Sequence, residues 1–413
     1  MIKRHLIKSL FFFAAVASLL GCSHVTMRTT ITPDLLALDD IMTSGIESGI
    51  YPGGVLVMGK GDKILWAKAY GRHTWEKDAP PMELDTIFDM ASVSKVLGTT
   101  QAAFVNLEDG KLSLDDKVAQ HIPGFEANGK GDITIKDLMT HVSGLKPYEN
   151  KDRVEEGRKP GESHADALIR TYANLELNYK PRTRSRYSCL NFQTLARVNE
   201  NVSGERMENL LIRRVYGPMG MKDTRYVLTE EQKRRAAPTI RRKTGELNRG
   251  ETHDPLANYH GSSEHCPGNA GLFSTAPDLT RFCRMVLNEG EFEGKRIFQA
   301  ETIRMATRRQ TPLEIDSVRG LGFQIHESAP WSTNLNDTPE THIVSHYGYT
   351  GTRFWIDKLS GAYFVYLTNR TFPYKEGETD QAPSDSAIQK KICNTVLRSL
   401  PEYREYFKNK GGR

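Results

Sequence analysis

Phe88-Asp89-Met90-Ala91-Ser92-Val93-Ser94-Lys95 opens an apolar, helically spaced run that continues through Leu107. That spacing predicts Ser92 at a helix N-terminus and Lys95 about one turn later, on the same face. A serine hydroxyl is a weak nucleophile until a base takes its proton, and a lysine serves as that base when burial or neighbouring charge lowers its pKa. The helix start adds backbone N–H groups and positive potential where an oxyanion would form. Ser-x-x-Lys by itself is a weak signal, since roughly one chance match is expected in a chain this long. Taken alone, the pair is better explained as a helix cap beside a surface lysine, until further motifs appear.

Working outward from this stretch, both flanks carry strand patterns. Leu35, Leu38, Met42 and Ile46 recur at helical spacing after Thr32-Pro33, a good cap and first-turn pair. Gly53-Gly54 then leads into Val55 to Met58, a turn at Gly59 to Asp62, and a second apolar run from Ile64 to Tyr70. At the other end, Phe354 to Ile356, a turn through Gly361, and Tyr363 to Leu367 repeat the hairpin before a helix carrying Ile388, Ile392 and Val396. A helix and a hairpin at each end predict one sheet built from both termini. Between Ser92 and Phe282 helical patterns dominate, which predicts a mostly α lobe inserted into the sheet unit. The expected division is a sheet unit of 33–91 and 283–400 and an α lobe of 92–282, within a domain of 33–405. The stretches Lys151 to His164 and Glu230 to Gly250 read as surface loops, the second holding a solvated basic cluster of Lys233, Arg234, Arg235, Arg241, Arg242 and Lys243.

Two further motifs follow in order: Tyr187-Ser188-Cys189, then Ser345-His346-Tyr347-Gly348-Tyr349-Thr350-Gly351 just before the last hairpin. With these the chain resembles the serine β-lactamase-related family of class C β-lactamases, D-Ala-D-Ala carboxypeptidases and β-lactamase-fold esterases. Leu107 to Asp116, Ile133 to Leu145, Gly271 to Thr275 and Leu367 to Arg370 resemble segments of that family too, so the likeness runs from about Pro33 to Leu400. It implies an α/β (α+β) architecture of the β-lactamase/transpeptidase type, an antiparallel sheet flanked by helices with the α lobe inserted. By the same match Ser92 is the acylated nucleophile, Lys95 its base, and Tyr187 the phenol that shuttles the proton. His346 and Gly348 match the third box, and the backbone N–H groups of Ser92 and Tyr349 would form the oxyanion hole.

Two positions depart from the family pattern. Cys189 stands where β-lactamases have an asparagine that holds the acylamino side chain, and a thiol is a weak hydrogen-bonding group. Tyr347 stands where a Thr or Ser hydroxyl meets the substrate carboxylate. Both changes favour a peptidase- or esterase-like hydrolase, penicillin-binding and D-Ala-D-Ala carboxypeptidase-like, over a true class C-like β-lactamase. A non-catalytic binding lipoprotein that keeps the fold is the alternative of a different class, and the intact Ser92, Lys95 and Tyr187 speak against it.

The remaining features set the setting. The chain has 413 residues, 38% of them hydrophobic and 26% charged, an ordinary globular balance. Residues 1–21 read as an export leader, with basic Lys3, Arg4 and Lys8 and an apolar run from Leu10 to Leu20 that is short for a membrane span. Leu19-Leu20-Gly21-Cys22 resembles a bacterial lipobox, which would lipidate Cys22 and leave 22–32 as a tether on the periplasmic face of a membrane, the outer one by the rule that Ser23 suggests. The three leader positives account for most of the formal charge of +5, so nucleic-acid binding is not expected. Cys189, Cys266, Cys283 and Cys393 allow three disulfide pairings, among which spacing does not choose. His141, His253 and His265 lack helical ligand spacing with a carboxylate, and no dinucleotide or phosphate loop occurs, so neither metal nor cofactor is expected. The expected partners are a small-molecule or peptidoglycan-derived peptide or ester substrate and, through the lipid, a membrane.

Overall fold

The computed structural model describes residues 33–326, 343–372 and 383–403. The leader, Cys22 and the tether lie outside the described residues.

Six antiparallel strands form the central sheet: β1 (Gly53–Lys60), β2 (Lys63–Gly71), β3 (Gln324–His326), β4 (Ile343–Gly348), β5 (Thr352–Asp357) and β6 (Ala362–Thr368). Their order is β2-β1-β6-β5-β4-β3, so the two terminal hairpins meet at its centre, with Val57 opposite Val365. The alternation read from the sequence now has two destinations, because successive strand side chains point to opposite faces. Val55, Val57, Phe354, Ile356, Val365 and Leu367 face the core shared with the α lobe. Leu56, Met58, Trp355, Phe364 and Tyr366 face a second core, under helices α1 (Pro33–Glu47) and α6 (Ser386–Ser399). Leu35, Leu38 and Met42 from α1 and Ile388, Ile392 and Val396 from α6 fill it, as their spacing predicts.

The lobe carries α2 (Gln101–Glu108), α3 (His164–Asn174) and α4 (Cys189–Ser203). Its named strand is the two-residue Phe273–Ser274, which pairs with Phe88–Asp89 and ties the lobe's end to the segment before Ser92. Helix α5 (Ala276–Leu287), capped by the Thr275 side chain, then lies across the sheet, where the Phe282 ring meets Phe354 edge-on at 5.3 Å. The boundary expected at 282/283 therefore falls inside one helix, and all of α5 belongs with the sheet. Phe282 is fully buried. Truncating it to alanine would cost about 3–5 kcal/mol.

Both expected loops are partly helical. Asn150 and Thr229 each cap a short helix, Lys151–Glu156 and Glu230–Arg235, by accepting a first-turn N–H. Four residues of the basic cluster are paired locally: Lys233 with Glu230 at 2.7 Å, Arg235 with Asp85 at 3.2 Å, and Arg241 and Arg242 with Glu76 and Glu251. Cys189, Cys266, Cys283 and Cys393 are all free thiols. Cys283 and Cys393 lie in the cores on opposite faces of the sheet, which keeps that pair apart.

Candidate active site

Ser92 is positioned by strain that its neighbours hold in place. Ala91 has φ +44°, a left-handed conformation costly for a residue with a Cβ. The buried Asp89 carboxylate accepts from the Ala91 N–H at 2.7 Å and from the His253 N–H at 2.7 Å. Burial pushes the Asp89 carboxyl up to about 6, against the pull of those two backbone donors. The turn between β4 and β5 and the start of β5 press on the same segment: the Thr350 hydroxyl donates to the Asp89 carbonyl at 2.7 Å and the Thr352 hydroxyl to the Met90 carbonyl at 3.0 Å. Gly348 must be glycine here, since a Cβ would lie 2.4 Å from the Met90 carbonyl oxygen. This contact sets the backbone of Tyr349 beside the Ser92 segment.

The predicted single helix is three pieces: a 3-10 turn at Ala91–Val93, a π-helical stretch at Lys95–Thr100, and α2. The wider stretch contains Gly98, where a Cβ would meet the Tyr226 hydroxyl at 2.4 Å. Such wide turns recur at functional sites, where they re-aim side chains. Here Lys95 is fully buried and its Nζ donates to Ser92 Oγ at 3.1 Å, to the Asn269 carbonyl at 2.8 Å and to Cys189 Sγ at 3.6 Å.

Two opposing influences set the protonation of Lys95. Burial works against its ammonium, while a Cys189 thiolate and a Tyr187 phenolate would hold it up, with a net upward direction. Burial also pushes both of those partners up, so at neutral pH each keeps its proton. Burial then favours the neutral amine that can act as a base, while the charge of Asp254 supports the ammonium.

Tyr187 stands over Lys95, with Nζ 4.8 Å from the ring centroid. Its phenol also interacts with Ser92, which favours the ionised form, as Lys95 does. The His141 ring lies 4.6 Å from the Tyr187 ring, and its Nδ1 accepts from the Ser188 N–H at 3.1 Å. Burial lowers the His141 pKa well below the usual histidine value, so this ring is a neutral packing wall. The Ser188 hydroxyl donates to the Lys146 carbonyl at 2.7 Å and the Cys189 N–H to the Pro147 carbonyl at 2.8 Å, which fixes the start of α4. The first two boxes and Tyr187 therefore converge.

The third box converges in position but differs in charge. His346 lies with its ring 6.2 Å from that of Tyr187, and its Nδ1–H donates to the Tyr347 carbonyl at 3.0 Å. Burial, with Lys95 and Arg319 nearby, holds its pKa well below the usual histidine value. The expected cation or donor in this box is thus a neutral imidazole whose N–H is already used. Tyr347 and Tyr349 are 56% and 47% exposed, and the Tyr349 ring stacks on His253 at 5.8 Å.

Four participants escaped the sequence reading: Asp89, His141, Asn269 and Arg319. Asp89 and His141 lie inside segments the family likeness marks, but their contacts depend on chain brought in from far away. Arg319 carries no local signal at all, yet its guanidinium lies 5.8 Å from the Tyr187 ring centroid. A separate cavity of about 630 Å³, lined in part by Asp137, Thr140, Arg182 and Thr311, contains none of the Ser92 group.

Comparison with known proteins gives the family and the fold. A family model described as Beta-lactamase matches residues 38–386. A Bacillus subtilis (strain 168) protein named N-acetylmuramyl-L-alanine amidase is 27% identical over 368 residues, covering 82% of this chain and 81% of that one. An Escherichia coli (strain K12) protein named "Putative D-alanyl-D-alanine carboxypeptidase" is 27% identical over 365 residues, covering 81% of each. Among solved structures, a class C beta lactamase from Rhodobacter sphaeroides superposes with a TM-score of 0.67 at 19% identity, covering 88% of this chain and 99% of that one.

Proposed function

Since this chain belongs to the Beta-lactamase family, a family of serine hydrolases, we propose that it hydrolyses an amide or ester of the D-alanyl peptide type through an acyl-enzyme at Ser92. The observation that carries this reading is the 3.1 Å contact between Lys95 Nζ and Ser92 Oγ, made by a fully buried lysine under the Tyr187 ring. Neutral Lys95 takes the Ser92 proton as Oγ attacks the substrate carbonyl. Backbone N–H groups of Ser92 and Tyr349 receive the oxyanion, and the proton passes by way of the Tyr187 hydroxyl to the leaving group. Water then reverses the path, giving its proton up along the same route and releasing the acid. One relative is named for an N-acetylmuramyl-L-alanine amide and the other for a D-alanyl-D-alanine bond, and the second name supports this substrate class.

The test is time-resolved labelling with fluorescent penicillin, beside an activated ester, for the wild type and Ser92→Ala. Label that needs Ser92 and outlasts minutes supports a penicillin-binding peptidase. Rapid turnover of the penicillin would instead support a β-lactamase, and a folded protein that reacts with neither reagent would sink the hydrolase reading. We further propose that Cys22 carries a lipid anchor on the periplasmic face of the envelope, from the Leu19 to Cys22 box. Metabolic incorporation of an alkyne fatty acid that is lost in Cys22→Ser tests it.

A further inference from the structure

Asp254 is partly buried at the start of the short helix Pro255–His260, where its Oδ1 accepts from the Ala257 N–H at 2.8 Å. A helix cap needs no more than that. Two further donors, from other parts of the chain, end on the same oxygen: the Tyr148 hydroxyl at 3.3 Å and Asn269 Nδ2 at 3.2 Å. A carboxylate only accepts, so the Asn269 amide must turn its N–H toward Asp254. The backbone carbonyl of the same Asn269 takes Lys95 Nζ at 2.8 Å. The base of the reaction and Asp254 are therefore joined through one fully buried residue.

The charges around Lys95 give this link its consequence. Tyr187 and Cys189, which flank its Nζ, keep their protons because burial pushes both up, and burial holds His141 and His346 neutral. Arg319 faces Tyr187 and His346. Asp254 is the anion that remains among the influences on Lys95, and it favours the ammonium against burial. No ion pair with a lysine or arginine ties up Asp254 among the described residues. Its titratable neighbours are His253, Tyr148, Cys189 and Asp89, the last a carboxyl pushed up by burial. A charge in such partly buried surroundings is screened much less than one in open solvent.

We propose that Asp254 is a positioning residue for acylation: through Asn269 it sets the pH at which Lys95 becomes the free base, and it stabilises the ammonium formed as Ser92 Oγ attacks. This rests on the acyl-enzyme reading and deepens it. The Ser92 proton moves to Nζ as the bond from Oγ to the carbonyl carbon forms, then leaves by way of Tyr187, and Asp254 neither gains nor loses a proton. The two effects of its charge oppose each other in rate. The carboxylate reduces the fraction of Lys95 that is neutral, yet makes the neutral amine a stronger base.

Single-turnover acylation of the full chain by a neutral activated ester, from about pH 5 to about pH 10, tests it. Asp254→Asn keeps the cap and the shape without the charge. Its acid limb is expected about one pH unit below that of the wild type. On that limb it should be about threefold faster, and on the plateau about threefold slower, so that the two profiles cross. Asp254→Glu should restore the wild-type limb. Asn269→Ala, which cuts the side-chain link and keeps the backbone carbonyl, should lower the limb by a smaller amount. A uniform loss at every pH would overturn the proposal and leave Asp254 a helix cap, and coincident profiles would overturn it as well. The crossing should persist in an Asp89→Asn background, since its disappearance there would assign the effect to Asp89. Should the ester fail to acylate wild-type Ser92 at any pH, the acyl-enzyme reading itself fails, and the proposal falls with it for that separate reason.

Discussion

Two buried arginines lie in different surroundings, and the contrast between them separates what builds this fold from what works in it. Arg353 on β5 points into the core beneath α1 and α6, where Nη1 donates to Gln389 Oε1 at 2.8 Å and Nη2 to Ser345 Oγ at 3.4 Å. Arg319 lies beside the Tyr187 ring with no such partners. Both Nη groups of Arg353 are used within the fold, whereas Arg319 meets the face of an active-site ring. The lobe side gathers further buried titratable groups: burial raises Asp89 and lowers His141 and His346, and at Lys95 it opposes neighbours that hold the ammonium up. Such displacement costs stability and clusters where chemistry is done.

Lys95→Met should break the comparison most sharply. On the lobe side it removes the base and is expected to reduce Ser92 acylation by about 10⁴-fold. Stability should hold or rise, since methionine fills much of the space without carrying a charge. Stopped-flow acylation with an activated ester, paired with a urea melt, reads both quantities. A large stability loss with modest loss of rate would place Lys95 with Arg353 as a structural cation.

The mirror substitution, Arg353→Met, should do the opposite. It leaves Gln389 Oε1 without its donor in a buried core, while Ser345 Oγ keeps His326 at 2.7 Å, and is expected to cost about 2 kcal/mol of stability. Turnover per folded molecule should change by less than about twofold. Urea denaturation beside active-site titration checks it, and a loss of rate without a loss of stability would show that the two sides are not separate.

How far the two sides could be read from the sequence follows the same division. The outer core obeys repeating patterns: Leu56 and Met58 alternate with Val55 and Val57, and Ile388, Ile392 and Val396 fall on one helical face. Local sequence encodes such periods directly. Ser92, Lys95 and Tyr187 were legible for another reason, as residues within boxes whose order resembles a family. Asp89 and Arg319 have neither support. Asp89 matters because the His253 N–H and Thr350 are brought to it from far along the chain, and Arg319 because the fold brings it to the Tyr187 ring. The π-helical turn at Lys95 was likewise hidden, since the apolar spacing through Leu107 fits an ordinary helix and the widening depends on distant packing against Gly98.

Asp89 gives an intermediate effect with a definite sign in pH. Its carboxyl titrates near 3.8 when unfolded and is pushed up to about 6 by burial in the folded protein. Below about pH 4 both states carry the proton and the group contributes no slope. As pH rises toward 7 the unfolded chain ionises first, so the folded state loses up to about 3 kcal/mol from this residue. Asp89→Asn lacks that loss, and its stability relative to the wild type should climb between pH 4 and pH 7. The buried histidines titrate identically in both proteins and cancel in the difference. Parallel stability profiles would show that the two backbone donors already hold Asp89 ionised.

The smallest expected effect concerns Cys189, the thiol that replaces the family's asparagine. Its Sγ lies 3.6 Å from Lys95 Nζ, and as a thiolate it would raise the lysine and so suppress the base. Burial keeps the thiol protonated at neutral pH, so Cys189→Ala should change kcat/KM by less than about threefold there. The difference should emerge only in alkaline solution, where the wild type forms the thiolate, Lys95 regains its proton and the rate declines. Cys189→Ala, unable to form that charge, should keep its rate to higher pH. A pH–rate profile on a neutral activated ester decides the matter. Coincident alkaline limbs would mean that the thiol is a space-filling replacement electrically silent toward Lys95, and that the altered second box bears on substrate fit alone.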